Sequence, residues 1–298
     1  MKTTSIVALI LGAILMISGY VLCTQGEKKA EEQGIELFTS NKDENGDRVT
    51  VMQYDPTALD KIAIDLREGD VYVCEGEEPK IEIYNLFEGG YIRGLSGGML
   101  MINDTLGVMD IIKEGAVGIS FDGLRNILHD IDLSGAQKKI IVYVPYGATL
   151  NAIQVNALNG NVFVEDIHDM SADIILGTEK GNISVLNAST SLRIQAKALA
   201  GDISIKGSFA NDIRVSSESG GVAVKSGSAF VSLNAEAKQG DIQIELSQNI
   251  NRYAASFKAS SGVFLNGNLL NASEFSTPAT DGLKINAVAA GGKVELVD

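Results

Sequence analysis

An all-β chain, wound as a parallel β-helix or solenoid behind one N-terminal transmembrane helix, is the fold this sequence predicts. Three observations carry the prediction. A glycine recurs about every 20 residues, paired apolar positions keep register with it, and one long uncharged run stands at the N-terminus. Composition agrees. Of 298 residues, 45% are hydrophobic and 21% charged, so the chain can bury a large core. Only 4 residues are proline, which excludes collagen-like and Pro-rich linker classes. A net charge of −14 repels phosphate backbones and argues against a nucleic-acid partner. Two cysteines and two histidines leave too few ligands for a structural zinc site.

The N-terminal element is residues 6–22, IVALILGAILMISGYVL, preceded by Lys2 and the free amine. Its 17 residues exceed the apolar core of a cleaved signal and reach the lower limit for spanning a bilayer. Tyr20 suits the lipid–water boundary. No small-x-small cleavage site follows. Cys23 invites lipidation, but Tyr20-Val21-Leu22 stand where a lipobox requires small residues. Residues 1–23 therefore read as a retained signal anchor, with cleavage or lipidation at Cys23 as alternatives. The other cysteine, Cys74, reads as a small apolar filler near a strand end.

Residues 24–57 are polar and acidic and read as a stalk. Within them, alternation at Ile35, Leu37 and Thr39, then Asn45-Gly46, then Val49 and Val51, signals a hairpin. Asp43-Glu44-Asn45-Gly46-Asp47 lacks the spacing and closing Glu of a calcium loop and reads as a solvated turn.

From residue 58 to 298 the chain reads as strand. Gly160, Gly181, Gly201, Gly220, Gly240 and Gly262 follow at intervals of 21, 20, 19, 20 and 22 residues. Apolar residues stand seven and five positions before each glycine, as Ile174 and Leu176 do before Gly181. Others stand two and four positions after it, as Ile183 and Val185 do, until the sixth coil gives Phe264 and breaks with Asn266. Period-two alternation on both sides means two short strands per coil, each with one buried face. Four of the glycines precede Asx: Asn161, Asn182, Asp202 and Asp241. Glycine admits positive φ and Asx side chains bond nearby backbone, so Gly-Asx marks the corner between the strands. The same register appears at Gly69-Asp70 and at Gly292. Between residues 74 and 140 the pattern is broken by a Gly-rich excursion over 88–123. One such coil cannot bury its apolar face alone, so the coils must stack and their ends must be capped. The irregular N-terminal region and the segment after Asn268 are the candidate caps.

The run Ile140-Ile141-Val142-Tyr143-Val144-Pro145-Tyr146-Gly147, followed by repeated Gly-Asx-apolar-x-apolar, resembles a bacterial candidate-adhesin β-strand-repeat domain of unknown function. Gly69-Asp70-Val71-Tyr72-Val73 and Ser261-Gly262-Val263-Phe264-Leu265-Asn266-Gly267 are similar to that family as well. The resemblance covers roughly residues 58–270. It implies a right-handed β-helix-like prism, an envelope location in exported, membrane-anchored proteins, and no established catalytic residues.

Chemistry is sparse. The aligned Asx positions are the nearest thing to a carboxylate ladder, but acid and amide alternate along it, which suits corners better than catalysis. His129 and His168 each precede an aspartate, yet strand neighbours point to opposite faces. No nucleophile elbow, phosphate loop or dinucleotide fingerprint accompanies them. No catalytic, metal or cofactor residues are assigned. The residues singled out are the corners Gly69, Asp70, Gly160, Asn161, Gly181, Asn182, Gly201, Asp202, Gly240 and Asp241. Outward positions Ser184, Ser204, Arg214, Ala223 and Gln243 read as one flat polar platform. The expected function is non-enzymatic surface adhesion or envelope scaffolding, by a chain anchored through residues 6–22 in a bacterial cell membrane. Its bulk is then extracytoplasmic, with an envelope protein or glycan as partner. An envelope sensor or assembly factor is the alternative, and a polysaccharide-active enzyme a more remote one.

Overall fold

The computed structural model describes residues 41–42, 47–86, 92–96, 98–104, 136–168, 170–226, 230–278 and 282–297. The anchor, Cys23, residues 24–40, Asn45-Gly46, most of the 88–123 excursion and His129 lie outside the described residues. Among the described residues, no helix is long and apolar enough to cross a membrane.

The described strands fall into two sheets, one of 13 and one of 11. Between residues 152 and 245 each coil repeats one plan. A strand of six to eight residues such as Asp173–Lys180 enters the smaller sheet, a glycine corner turns the chain, and a shorter strand such as Ile183–Leu186 enters the larger one. Pairing between coils is parallel and in register. Ile153, Ile174, Ile194, Ile213 and Leu233 are successive partners, and each is fully buried. Ile183, Ile203, Val222 and Ile242 form the matching inner row of the other sheet. Branched aliphatics at every second position make this register decisive, because a one-residue slip would expose them all. A return segment closes each coil. Its backbone also bonds from coil to coil, as Ser189 N–H donates to Ile167 (2.7 Å) and Phe209 N–H to Ala188 (2.9 Å).

The coils do not stack in chain order throughout. Lys61–Glu68 lies between Met99–Asn103 and Ala152–Asn159, while Asp70–Glu75 lies between Lys139–Val144 and Val162–Glu165. At the other end, Leu283–Ala289 lies between Ser232–Ala237 and Tyr253–Ala259. Val294–Val297 likewise separates Ile242–Glu245 from Val263–Leu265. The simple succession expected from the repeat is thus corrected at both ends. The first and last coils of the chain are each second from an end of the stack. At the C-terminal end the outermost coil continues directly into antiparallel strands, whereas at the other end the antiparallel strand Lys80–Tyr84 follows the buried first coil and folds over the outermost strand Lys139–Val144.

Those antiparallel strands are the caps. Lys80–Tyr84 pairs with Lys139–Val144, Arg48–Gln53 with Lys80–Tyr84, and Asn41–Lys42 with Arg48–Gln53. Ile92–Ser96 caps the smaller sheet at the same end. Asn268–Asn271 and Glu274–Thr277 cap the two sheets at the opposite end. Arg48–Gln53 belongs to the sheet, so the folded unit reaches into the segment read as stalk.

Candidate functional site

The predicted corners form one ladder along the stack. A Cβ on Gly160, Gly181, Gly201, Gly220, Gly240 or Gly292 would overlap the carbonyl oxygen of the glycine on the neighbouring coil. Close backbone approach therefore requires glycine at every step. Positive φ, the reason expected from the sequence, adds to this only at some of them, such as Gly181 at +155°. The Asx side chains bond across coils, not within their own turn. Asp70 Oδ1 accepts the Asn161 amide at 2.7 Å, Asn161 Oδ1 that of Asn182 at 2.8 Å, and Asn182 Oδ1 that of Asp202 at 2.8 Å. Asp202 Oδ1 accepts from Gly221 N–H at 2.7 Å, and Asp241 Oδ1 from Lys293 N–H at 2.8 Å. Each side chain satisfies a backbone donor that the corner turns away from the strand ladder.

A second corner follows each short strand. Asp166, Asn187 and Asn266 stand there at φ of 50–52°, and Asn187 Nδ2 donates to Asp166 Oδ1 at 2.9 Å. Its signal was an Asp, Asn or Gly two residues past the second apolar position, as at Asp166, Asn187 and Gly207. His168 is exposed in the turn beyond this corner. Among the described residues, no group of three or more His, Cys, Asp or Glu could hold a metal ion.

The outward positions divide differently from the platform expected. Ser184, Ser204, Ala223 and Gln243 are successive partners on the outer face of the larger sheet. Arg214 belongs to the smaller sheet, where it pairs with Asp212 at 2.9 Å beside a groove of about 310 Å³ lined by Lys197, Val215, Glu236 and Val288 among others. Asp212 also holds Arg193 at 3.1 Å.

Followed toward the N-terminal end, the Ser184 row changes character. Its next partners are Phe163, Tyr72 and Ile141, and then Glu82 on the cap strand. Phe163 and Tyr72 stack, with centroids 4.5 Å apart and planes 10° from parallel. The parallel row beside them carries Glu165, Cys74, Tyr143 and Lys80. Glu82 is the hub. It accepts from Lys80 Nζ at 2.9 Å, Tyr84 OH at 3.0 Å and Tyr143 OH at 3.2 Å. Lys80 lies over the Tyr143 ring at 4.8 Å and Lys139 over the Tyr84 ring at 4.0 Å. Val51, 52% exposed, borders the cluster as the partner of Glu82. Burial pushes the Glu82 carboxyl up, but the bonds from Lys80, Tyr84 and Tyr143 outweigh it and hold it below the ordinary carboxylate value. Burial and the Glu82 charge push the Tyr143 phenol up. Cys74, half-buried, has its thiol pushed up by burial and then by Glu165.

This cluster was missed in the sequence. Tyr72 and Phe163 occupy the same repeat position, three residues past the glycine, and that coincidence was readable. Glu82, Tyr84 and Tyr143 arrive through antiparallel and non-sequential pairing, which no local pattern reveals.

A family model described as Toastrack DUF4097 matches residues 59–265. Solved structures similar to the chain include a candidate cell adhesion protein from Clostridium sporogenes, 12% identical with a TM-score of 0.37. That match covers 84% of this chain and 99% of the other. A candidate lipid binding protein from Parabacteroides distasonis is 13% identical with a TM-score of 0.42, over 84% of this chain and 97% of its own. A candidate adhesin from Bacteroides fragilis is 13% identical with a TM-score of 0.37, over the same shares. No curated protein matches the chain.

Proposed function

The chain belongs to the Toastrack DUF4097 family, and we propose that it is a non-enzymatic, membrane-anchored extracytoplasmic protein whose prism serves surface interaction or envelope scaffolding. In this reading residues 6–22 hold the chain in a bacterial cell membrane, and the coils wind right-handedly.

One observation carries the reading: the ring and carboxylate cluster around Glu82 lies outside a core that is complete without it. Val71, Val73, Ile140, Val142 and Val162 already fill the inner face of the same strands, all at 0% exposure. Folding requires nothing aromatic on the opposite side, so a built, partly apolar outer surface favours contact with another body. The corner carboxylates are each committed to a backbone amide, which favours structure over hydrolysis.

Fractionating cells that express the full chain tests the reading. The expected result is a carbonate-resistant membrane protein whose C-terminal region is digested by protease added to intact spheroplasts. Recovery in the soluble cytoplasm contradicts it. Release of reducing ends from envelope polysaccharide by the purified full chain contradicts the non-enzymatic part alone.

A further inference from the structure

We propose that the ring cluster of the larger sheet is a bilayer-contact face, lying in the headgroup boundary of the membrane that holds residues 6–22. The proposal rests on the anchored reading above and names the occupant of that same surface.

Position is the first argument. The described chain enters at Asn41–Lys42, the edge strand of the larger sheet, beside Arg48–Gln53 and Lys80–Tyr84. The apolar run ends at Leu22, and the 19 residues from 23 to 41 span at most about 65 Å. The rings therefore occupy the half of the face nearest the chain's entry. They extend over four neighbouring strands, about 14 Å at ~4.8 Å per strand, and Val51 lies on the next strand out. Beyond Phe163 the row turns to Ser184, Ser204, Ala223 and Gln243.

Chemistry is the second argument, and it separates lipid from glycan. Sugar recognition wants an open ring face beside free polar groups. Here Tyr72 and Phe163 cover each other, and Lys80 and Lys139 lie over Tyr143 and Tyr84. Both tyrosine hydroxyls and Lys80 are committed to Glu82. What is offered outward is ring edges, Ile141 and the exposed Val51, with the Lys80 and Lys139 ammonium groups held over rings. Tyrosine rings between an apolar and a polar surrounding are the composition of a membrane–water interface. Charge around the rings is net acidic, Lys80 and Lys139 against Glu82, Glu165 and Asp70, so attachment is apolar and gains nothing from anionic lipid.

The chain has no tryptophan, which allows single reporters. Full-length Phe163→Trp, Val51→Trp and Gln243→Trp variants are reconstituted in phosphatidylethanolamine–phosphatidylglycerol vesicles with and without brominated acyl chains. All three sites are on the outer face, and an unchanged thermal midpoint confirms each fold. The expected result is flotation with vesicles, blue-shifted emission quenched by bromolipid for Phe163→Trp and Val51→Trp, and unquenched emission for Gln243→Trp, at low and high salt. Flotation with none or all of the three quenched overturns the contact face and leaves the anchor standing. Failure to float overturns the anchored reading, and the contact face with it. A shift of Phe163→Trp emission by soluble peptidoglycan fragments, without quenching by bromolipid, makes the face a glycan site and also overturns the assignment.

Discussion

The two halves of the larger sheet share one interior and differ outside. Near the N-terminal cap the outer row reads Glu82, Ile141, Tyr72, Phe163; farther along it reads Ser184, Ser204, Ala223, Gln243. Their inner partners are interchangeable: Val71 and Val162 in one half, Ile183 and Ile203 in the other, all buried. Stacking constrains the inside of every coil equally, while the outside is free to vary. A difference confined to the outside therefore reports what the surface meets, not how the chain folds.

Breaking the shared interior has the largest expected effect, and the same effect in both halves. Val73→Asp and Ile205→Asp each place an unpaired charge in the core and cost on the order of 4–5 kcal/mol or more in urea unfolding. Tolerance of either would mean that the inner rows are not a common core. Gly181→Ala comes next. Its Cβ would collide with the Gly160 carbonyl, and the expected loss is about 2 kcal/mol or more. Asp202→Ala, which leaves the Gly221 amide without its acceptor, should cost about 1 kcal/mol. The smallest change sharpens the comparison itself. Ser204→Phe, which carries a ring into the polar half, should leave stability within about 0.5 kcal/mol of the parent, whereas Tyr72→Ser loses about 1 kcal/mol of stacking.

Acid should distinguish the halves as well. Glu82 is held below its ordinary value, so its contribution is present above the unfolded carboxylate range, near pH 4.3, and is lost as pH falls through the depressed folded value. The N-terminal cap should loosen in that window, read by hydrogen exchange of Lys80–Tyr84. Glu82→Gln should abolish the pH dependence there and leave the Asp212–Ser219 coil unaffected.

Much of this was legible in the sequence because the interior is local. Gly181, Ile174, Leu176, Ile183 and Val185 fix one coil by spacing alone, and the neighbouring coils repeat it. The order of stacking was not legible. Gly69 and Gly292 carry the same signature as Gly160 or Gly240, and a repeat that pairs equally well with any copy does not say which copy it meets. The glycine ladder answers in three dimensions: Gly160 abuts Gly69, Gly292 abuts Gly240, and Gly262 meets Leu269 and Phe264 instead. The ring cluster depends on that order. Chain succession would set the Lys139–Val144 strand against Val162–Glu165 and leave Tyr72 away from Phe163.

Cysteine cross-linking tests that arrangement most directly. In a full chain with Cys23→Ser and Cys74→Ser, Tyr72→Cys combined with Phe163→Cys places two thiols on adjacent strands in register, within disulfide reach. Ile141→Cys combined with Phe163→Cys places them two strands apart, roughly 9–10 Å between Cα atoms. Rapid oxidation of the first pair and none of the second is the predicted result. Oxidation of the 141–163 pair in place of the 72–163 pair would show coils stacked in chain order, and both the swapped ends and the ring cluster would be wrong.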